Sequence, residues 1–523
     1  MRSALTALSL SLALSLTTAL APAAAQQVDG PDMSLVAGYK AAFTCSATFN
    51  GGQSLAEIES NELSGIYPDY RAPLASLPAA QIDNEARTVS VRYADGKPPR
   101  IAVWREGFGC TQLPAGANAS AARFLPRFGQ VVRPSGQDRA SAIGASVQLT
   151  LPVHITDRLA APMTFAFDEA TYGQGTRTSA VVVTFKGEVV AERYARGVDA
   201  ETSQRTWSVA KSITTTILGA AAGDSLLGPG SSNLLEIWSE GADPRRNITL
   251  ANLLHMNSGL ESGVRGSRTD AVYFGGARAL DEAFTRPLDA APGSRYKYAN
   301  NDTLAAMRAL REAIGNDEAY FRYPYSEVLH KIGAFRTVLE TDWNGDFVSS
   351  SQVWTTARDL ARIGQLYLNN GRWGDEQILH PEWLDFVMAP APAQPEANDF
   401  GYGAGFWLLP DAPGVPADAF AAMGHRGQYV VIVPSRDVVI VRRGYDPSGE
   451  YRFDITGFTR DIVGAIDAAE AQRIAAEEAA RAAEWAEYEE ALARSQGSNR
   501  TPEERRARRE AVAERRPLSQ RNN

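Results

Sequence analysis

Apolar runs typical of β-strands lie on both sides of a long helical region in this chain of 523 residues. Residues 180–194 contain two such runs around Lys186 and Gly187, which predicts a hairpin with a two-residue turn. Two more apolar runs, 429–433 and 438–442, occur far downstream. A sheet assembled from both ends of a segment, with helices between its strands, indicates an α/β or α+β domain.

The composition indicates a folded protein and excludes some partners. Hydrophobic residues make up 44% of the chain and charged residues 22%, so the chain can bury a large core and form more than one domain. The 52 basic and 61 acidic residues give a net charge of -9, which provides no electrostatic attraction to nucleic acid or anionic lipid. A small-molecule ester, amide or peptide substrate fits this balance better.

The first 25 residues have the pattern of a secretory signal. Arg2 gives a positive start, residues 4–20 are apolar, and small residues at 23–25 precede Gln26. We therefore expect an exported protein, periplasmic or secreted, with an uncleaved membrane anchor as the alternative. No other segment is long and apolar enough to cross a bilayer, so we expect no integral membrane segment in the mature chain.

Composition changes divide the rest of the chain into three parts. Residues 26–152 carry short alternating runs separated by Gly, Pro and Asp, which predicts a small, mainly β N-terminal domain of unknown role. Residues 153–467 contain the strands and helices of the α/β domain. Residues 468–523 are rich in Ala, Glu and Arg, which predicts a charged helix that frays into a disordered tail, or a partner-binding helix.

The two cysteines, Cys45 and Cys110, both lie in the N-terminal part. In an exported protein they could form one disulfide, and two buried free thiols are the alternative. The 5 histidines have no short ligand spacing and no cysteine neighbours, so the sequence predicts no metal site.

Ser208 and Lys211 stand at the start of an Ala-rich helical run over residues 208–222. Their spacing puts both side chains on one helix face, about 60° apart. A serine becomes a good nucleophile when a neighbouring base takes its proton, and a helix N-terminus favours developing negative charge. An ordinary helix start with a solvated lysine has the same pattern. A second match, Ser294 with Lys297, opens no apolar helix and is interpreted as a turn.

Tyr298 and Asn300 follow that turn and are separated by one residue. In an extended segment their side chains would share a face. Next to a protonated lysine the pKa of a tyrosine falls, which would make Tyr298 a usable general base near neutral pH. A packed loop tyrosine is the alternative interpretation.

A third pattern, His425, Gly427 and Gln428, precedes the apolar run 429–433. Gly427 would let a ligand approach the strand edge closely. The backbone N–H of Gln428 could join that of Ser208 in an oxyanion hole. A hairpin turn with a surface histidine is the alternative.

These three patterns, in this order, resemble the active-site motifs of penicillin-recognising serine enzymes, the class C β-lactamase and D-alanyl-D-alanine carboxypeptidase group. The resemblance spans roughly residues 178–464 and includes the stretches 207–212, 253–260, 291–293 and 356–362. The third motif departs from the Lys-Thr-Gly of β-lactamases. The match therefore looks closest to the branch of esterases and 6-aminohexanoate-oligomer hydrolases.

The resemblance implies a mixed α/β sheet domain beside a helical domain, an active site between them, an acyl-serine intermediate and no metal or other cofactor. Three residues would carry the chemistry: Ser208 as nucleophile, Lys211 as its activator and Tyr298 as proton shuttle. Four would bind substrate: Asn300, which could contact Lys211 instead, His425, Gly427 and Gln428, with the N–H groups of Ser208 and Gln428 as the oxyanion hole.

The predicted function is hydrolysis of an ester or amide bond. A β-lactamase or D-alanyl-D-alanine carboxypeptidase is the alternative, and a catalytically silent sensor module is the non-enzyme alternative. The chain has no Gly-x-Ser-x-Gly elbow, which disfavours an α/β-hydrolase. His425 replaces the lysine cation of β-lactamases and is largely neutral if it titrates as an ordinary histidine. We therefore expect short acyl esters or small amides to be hydrolysed faster than cephalosporins. Lys331 and Gly333, a rival third motif, fit a helix C-terminus.

Overall fold

The computed structural model describes residues 32–128, 153–263, 269–396, 400–449, 452–495, 501–503 and 506–507. The predicted signal sequence, 1–25, lies outside the described residues, as does most of the chain beyond 495. The helices are α1 Met33–Phe49, α2 Leu55–Asn61, α3 Pro68–Ser76, α4 Val153–Phe165, α5 Val209–Gly223, α6 Leu250–Leu254, α7 Asp270–Tyr273, α8 Asn300–Ile314, α9 Asp317–Tyr323, α10 Ala357–Leu368, α11 Pro381–Met388 and α12 Ile455–Ser495.

The strands are β1 Gln81–Asp83, β2 Thr88–Val91, β3 Arg100–Arg105, β4 Gly109–Gln112, β5 Thr178–Phe185, β6 Glu188–Tyr194, β7 Gln204–Arg205, β8 Val338–Leu339, β9 Val353–Thr355, β10 Arg372–Trp373, β11 Glu376–Gln377, β12 Gly401–Tyr402, β13 Trp407–Leu408, β14 Phe420–Gly424, β15 Gln428–Val433 and β16 Val438–Gly444. Together with the helices they confirm the mixed α/β class expected from the sequence.

A seven-stranded antiparallel sheet, in the order β12-β13-β14-β15-β16-β5-β6, is the centre of the fold. Strand β16 pairs with β5, from Val438 opposite Phe185 onward, so both ends of the α/β region meet in one sheet. The hairpin of β5 and β6 is present as predicted. Its turn residues Lys186 and Gly187 have φ of 51° and 81°, as a type I′ turn requires.

Helices cover both faces of this sheet. Helix α10 packs against β15, β16 and β5 on one face, while α4 and α12 pack together and α4 also contacts β6. Alternate strand residues divide between the two cores: Val439 and Val441 belong to the first, and Val438 and Ile440 to the second. This alternation follows from the two-residue period of a strand.

The N-terminal segment, residues 32–128, combines α1, α2 and α3 with a separate sheet of β1 to β4. It therefore contains more helix than the mainly β domain expected from the sequence. Helix α1 is buried at every position from Val36 to Ala47, so it lacks the one-sided apolar pattern that reveals a surface helix. Cys45 in α1 and Cys110 in β4 form a disulfide.

The N-terminal segment shares its core with the rest of the molecule. Val36 and Phe43 of α1 belong to the same buried cluster as Ile213 and Ile217 of α5. Contacts between α1 and α7 cross the same boundary. The segments on either side of residue 152 are thus distinct in the sequence but share one core. The positions of the domain limits stay a prediction.

Helix α5 carries the start of the predicted active site. It contacts α8 on the helical side and β14 and β15 on the sheet side. Ser208, which precedes its first residue, therefore lies between the helical region and the large sheet.

Helix α12 extends the predicted C-terminal helix into one continuous element of 41 residues. Its first turns are buried as far as Ala469, and most later side chains are exposed. Among the described residues, no helix combines the length and apolarity that a membrane span needs.

Candidate active site

Ser208 is the N-cap residue of α5, and its side chain makes no capping hydrogen bond. Trp207, which precedes it, has a φ of 50°, a left-handed conformation that costs a non-glycine residue about 1–3 kcal/mol. The ring of Trp207 is held between Phe43 at 6.2 Å and His425 at 4.9 Å. Packing thus maintains a strained backbone that presents the serine.

Lys211 lies one turn along α5, and its side chain is buried. Its Nζ lies 3.2 Å from Ser208 Oγ, 2.6 Å from Asn300 Oδ1 and 2.9 Å from the carbonyl oxygen of Ser350. These are three acceptors for the three donors of an ammonium group. The geometry brings the predicted serine and lysine into direct contact.

The environment of Lys211 shifts its protonation toward the neutral amine. Burial lowers the pKa of Lys211 against the opposing charge of Asp302, and together with a smaller effect of Arg205 the result is a pKa of about 7, down from 10.5. Desolvation dominates because a buried ammonium loses its hydration. A large fraction of Lys211 is therefore uncharged near neutral pH.

Arg205 is a residue that the sequence analysis missed. Its guanidinium carbon lies 3.6 Å from the ring centroid of Trp207 and 4.1 Å from that of Phe43. Its Nη2 donates to Ser351 Oγ at 2.8 Å. A buried cation held by two aromatic faces thus lies just before the serine. An arginine three residues ahead of Ser208 was the only sequence signal.

Asp302 is a second missed residue, in the first turn of α8. Ser258 Oγ donates to its carboxylate at 2.7 Å. Burial raises the pKa of Asp302 to about 7, with smaller opposing effects from Ser258, Lys297 and Lys211. Because its charge is partial at neutral pH, it holds Lys211 in the protonated form less strongly than an ordinary carboxylate.

Tyr298 and Asn300 both reach Lys211. Lys211 Nζ lies 4.9 Å from the Tyr298 ring centroid. Asn300 accepts from Lys211 and donates to Thr269 Oγ1 at 2.8 Å. Asn300 is buried, so the geometry favours the alternative in which it positions Lys211 over the one in which it contacts substrate.

The expectation that the pKa of Tyr298 is lowered toward neutral pH is wrong. Burial raises the pKa of Tyr298 well above its ordinary value of 10, although a hydrogen bond with Ser208 acts in the opposite direction. The ring is stacked on Trp407 at 5.5 Å. Because only about half of Lys211 is charged at pH 7, the cation that was expected to stabilise phenolate is weakened. Tyr298 is a neutral phenol at pH 7, a form that can donate a proton.

The third motif lies where β14 turns into β15, beside the serine. A Cβ on Gly424 would collide with the carbonyl oxygen of Thr206 and would lie 3.2 Å from the backbone N of Ser208. The collision with Thr206 explains why this position is a glycine. The side chain of Gln428 is buried, and its Nε2 donates to the carbonyl of Gly444 at 2.6 Å, so this side chain does not reach into the cleft.

Gly427 differs in role from the expectation, and its neighbour Arg426 is held by other contacts. Gly427 has a φ of 78°, and a side chain there would collide with Arg442 and Asp446. A glycine is thus required at this position because of the neighbouring ion pair, in which Arg442 Nη1 lies 2.7 Å from Asp446 Oδ2. Arg426 is buried and donates to the carbonyls of Asn61 and Ser64 at 2.8 and 2.7 Å. It is therefore committed to the N-terminal segment.

Arg443, also missed, ties the third motif to the strand before the serine. Its Nε donates to Gln428 Oε1 at 2.7 Å, and its Nη2 donates to the carbonyls of Gln204 and Arg205 at 2.9 Å. Burial lowers the pKa of Arg443 to about 10, so it stays charged at neutral pH. One cation fixes the two halves of the site relative to each other.

A cleft of about 520 Å³ opens beside Ser208. Its walls are both aromatic and polar, and they include Tyr298, Trp407, His425, Tyr429, Ser448 and Arg452. His425 Nε2 lies 2.6 Å from Ser448 Oγ. A small substrate of the size of an ester or short amide fits this volume. Among the described residues, no group of three or more His, Cys, Asp or Glu could hold a metal ion.

The rival motifs lie at the surface. Lys297 Nζ is 3.2 Å from Asp289, and Ser294 Oγ donates to the carbonyl of Ala291 at 2.6 Å, so this pair does not form a nucleophile with its base. Lys331 pairs with Glu327 at 3.0 Å. The site is therefore the one at Ser208.

The chain is similar to several known proteins. A 6-aminohexanoate-dimer hydrolase of Paenarthrobacter ureafaciens is 24% identical over 56% of this chain and 80% of its own. Solved structures similar to this chain include a penicillin-binding protein from Bacillus halodurans, 14% identical, covering 59% of this chain and 99% of that one with a TM-score of 0.45. A family VIII carboxylesterase is 14% identical, covering 60% of this chain and 97% of that one with a TM-score of 0.46.

The family of this chain is shown by a match that covers more than half of its residues. The sequence model of the Beta-lactamase family matches residues 154–442, which include all of the three motifs. The match confirms the resemblance drawn from those motifs, and the chain belongs to the Beta-lactamase family of hydrolases.

Proposed function

We propose that this protein is a serine hydrolase that cleaves an ester or amide bond of a small substrate through an acyl-serine intermediate. The observation that carries the proposal is the 3.2 Å contact of Lys211 Nζ with Ser208 Oγ. Burial lowers the pKa of this lysine to about 7. A neutral amine at that distance can accept the serine proton.

The first half-reaction acylates the serine. Ser208 Oγ forms a bond to the carbonyl carbon of the substrate as its proton moves to Lys211. The N–H groups of Ser208 and Gln428 stabilise the oxyanion, an interaction whose removal typically costs about a hundred- to a thousand-fold in rate. Tyr298, hydrogen-bonded to Ser208, then donates its proton to the leaving group and regains one from Lys211.

The second half-reaction regenerates the enzyme. Water attacks the acyl-serine carbonyl and loses a proton to the Lys211 and Tyr298 pair, and the Ser208 oxygen leaves and is reprotonated. The same groups thus work in both directions, as microscopic reversibility requires.

A fluorophosphonate probe tests the nucleophile directly. The wild-type protein should be labelled at Ser208, and Ser208→Ala should lose labelling and turnover without loss of folding, since the hydroxyl contributes little packing. Ser294→Ala, in the second Ser-x-x-Lys, is the matched control and should behave as wild type. Turnover that survives in Ser208→Ala would disprove the assignment.

Arginine substitution tests the base. Lys211→Arg should lose nearly all activity because a guanidinium stays charged and cannot take the serine proton. Lys297→Arg should keep full activity. An active Lys211→Arg together with an inactive Lys297→Arg would mean that the wrong motif has been chosen.

A β-lactamase or D-alanyl-D-alanine carboxypeptidase remains the second candidate function. It is favoured by membership of the Beta-lactamase family. The relative named as a 6-aminohexanoate-dimer hydrolase favours a linear amide instead. A panel of short acyl esters, small linear amides, a cephalosporin and a D-alanyl-D-alanine peptide separates the two. A silent sensor would bind one of these without turnover.

Export is part of the proposal. It rests on the signal-like residues 1–25 and on the Cys45–Cys110 disulfide, which is typical of oxidising compartments. Fractionation of expressing cells, with N-terminal sequencing of the mature protein, should find it outside the cytoplasm and beginning at Gln26. An intact N-terminus in the cytoplasmic fraction would contradict it.

A further inference from the structure

The third motif is packed against the N-terminal segment, which lies outside the part of the chain that the family model matches. Tyr67 stacks on the ring of His425, with centroids 5.6 Å apart and planes 27° apart. Trp207 packs edge-on against the same imidazole at 4.9 Å. The imidazole therefore has one aromatic neighbour from the N-terminal segment and one from the residue before the serine.

Ser448, the hydrogen-bond partner of His425, is also held by the N-terminal segment. Its backbone N–H donates to the carbonyl of Gly65 at 2.7 Å, and its own carbonyl accepts from Arg71 Nη2 at 2.8 Å. Arg71 Nε donates to the carbonyl of Ile66 at 3.0 Å, which fixes the guanidinium. Both backbone groups of Ser448 are thereby bonded to residues 65–71.

The turn between β14 and β15 is attached to the same stretch. Arg426 donates to the carbonyls of Asn61 and Ser64. A Cβ on Gly65 would lie 3.3 Å from Pro447 Cα, so the two backbones are in close contact there. Residues 61–71 thus hold three neighbouring positions of the cleft wall: 425, 426 and 448.

We propose that residues 61–71 are a built-in part of the active site, with Tyr67 and Arg71 as positioning residues that hold His425 and Ser448 toward the substrate. The inference rests on the proposed function. His425 and Ser448 line the cleft, whereas Tyr67 and Arg71 bond or stack behind them. The pair offers the substrate an imidazole and a hydroxyl, groups that can donate or accept hydrogen bonds. It therefore suits a hydrogen-bonding group of an ester or amide.

Kinetics separate positioning from folding. Tyr67→Ala and Arg71→Met should each raise KM for a short acyl ester about three- to tenfold, the usual worth of one aromatic contact or hydrogen bond, with kcat changed less. Tyr67→Phe keeps the ring and should keep the wild-type KM. Phe124→Ala, which removes a ring 74% exposed in the same segment, is the matched control.

Titration with the fluorophosphonate probe gives the fraction of active sites in each variant. A purely structural role would lower that fraction and leave KM of the remaining sites unchanged, which would overturn the inference. An unchanged KM in a fully active Tyr67→Ala would also overturn it.

A second readout does not need activity. In protein labelled with ¹³C-histidine, the His425 signal, identified by its loss in His425→Asn, should carry a ring-current shift from Tyr67. The shift should disappear in Tyr67→Ala and persist in Tyr67→Phe. If the wild type does not react with the fluorophosphonate probe, the proposed function is refuted. The shift of the His425 signal then still tests the inference. A His425 signal that does not move in Tyr67→Ala would refute the inference alone.

Discussion

The acid limb of the pH profile should report Lys211. Burial lowers the pKa of Lys211 to about 7, so about half of it is neutral at pH 7, about a tenth at pH 6 and about a hundredth at pH 5. Because the base acts when it is deprotonated, kcat/KM should rise about tenfold from pH 5 to 6 and about fivefold from pH 6 to 7, and level off above about pH 8. If the base were an unburied lysine, with a pKa of about 10.4, kcat/KM would still be rising at pH 9.

Arg205→Met should change the pKa of Lys211, although Arg205 is not one of the hydrogen-bond partners that hold Lys211 at Ser208, Asn300 and Ser350. The charge of Arg205 lowers the pKa of Lys211, so its removal should move the acid limb to higher pH and reduce activity at pH 7. The substitution removes one hydrogen bond, to Ser351, and keeps an apolar side chain between the rings of Trp207 and Phe43. Arg123→Met, at an exposed arginine, is the control and should leave the profile in place.

The assay is kcat/KM for a short acyl ester from pH 5 to 9 at constant ionic strength, normalised to the active sites that the fluorophosphonate probe counts. Normalisation separates a shifted pKa from partial unfolding. A profile that is flat from pH 5 to 8 would refute Lys211 as the base. An acid limb that moves to lower pH in Arg205→Met would refute the electrostatic argument even if the wild-type profile is as expected.

Three further changes test stability and specificity. Burial raises the pKa of Glu340 from 4.5 to about 7, so the carboxyl's contribution to stability is full below about pH 4.5 and is lost as pH rises to about 7. Between pH 5 and 8 the wild type should thus lose about 2–3 kcal/mol more of its unfolding free energy than Glu340→Gln in urea titrations, and equal losses would contradict this. Replacing Cys45 and Cys110 by Ser should cost about 2–4 kcal/mol in a single unfolding transition, because the N-terminal segment shares its core with α5; an early, separate transition would show an independent domain. His425→Lys should raise the ratio of cephalosporin to ester hydrolysis at pH 8 about tenfold, by one added charge contact, and an unchanged ratio would mean that His425 does not set the preference.

The motif order was enough to find the central chemistry. Ser208 and Lys211 could be predicted because their spacing is local, on one helix. The hairpin around Lys186 could be predicted for the same reason, since a two-residue turn between apolar runs is a short-range signal. The family match confirms the fold class and the recognition drawn from these patterns.

The parts that were missed depend on burial and on distant neighbours. Helix α1 is buried on all sides, so its sequence lacks periodicity. The pKa of Tyr298 was expected to fall because a charged lysine was assumed, whereas burial lowers the pKa of Lys211 and raises that of Tyr298. Arg443 donates to the carbonyls of Gln204 and Arg205, and Arg205 packs on the ring of Phe43. These partners are far away in the chain, and no single-sequence pattern contains them.

The pairing of β16 with β5 sets the order in which this chain can fold. Phe185 is made long before its partner Val438, so during synthesis the β5–β6 hairpin has an apolar edge without a neighbour. Pairings between such distant positions form slowly. Until they form, an open strand edge can bind another chain. A ribosome that stops before residue 438 would therefore release an aggregation-prone fragment. Strand β16, the last strand of this sheet along the chain, thus protects the edge of β5, the strand of this sheet that is made first.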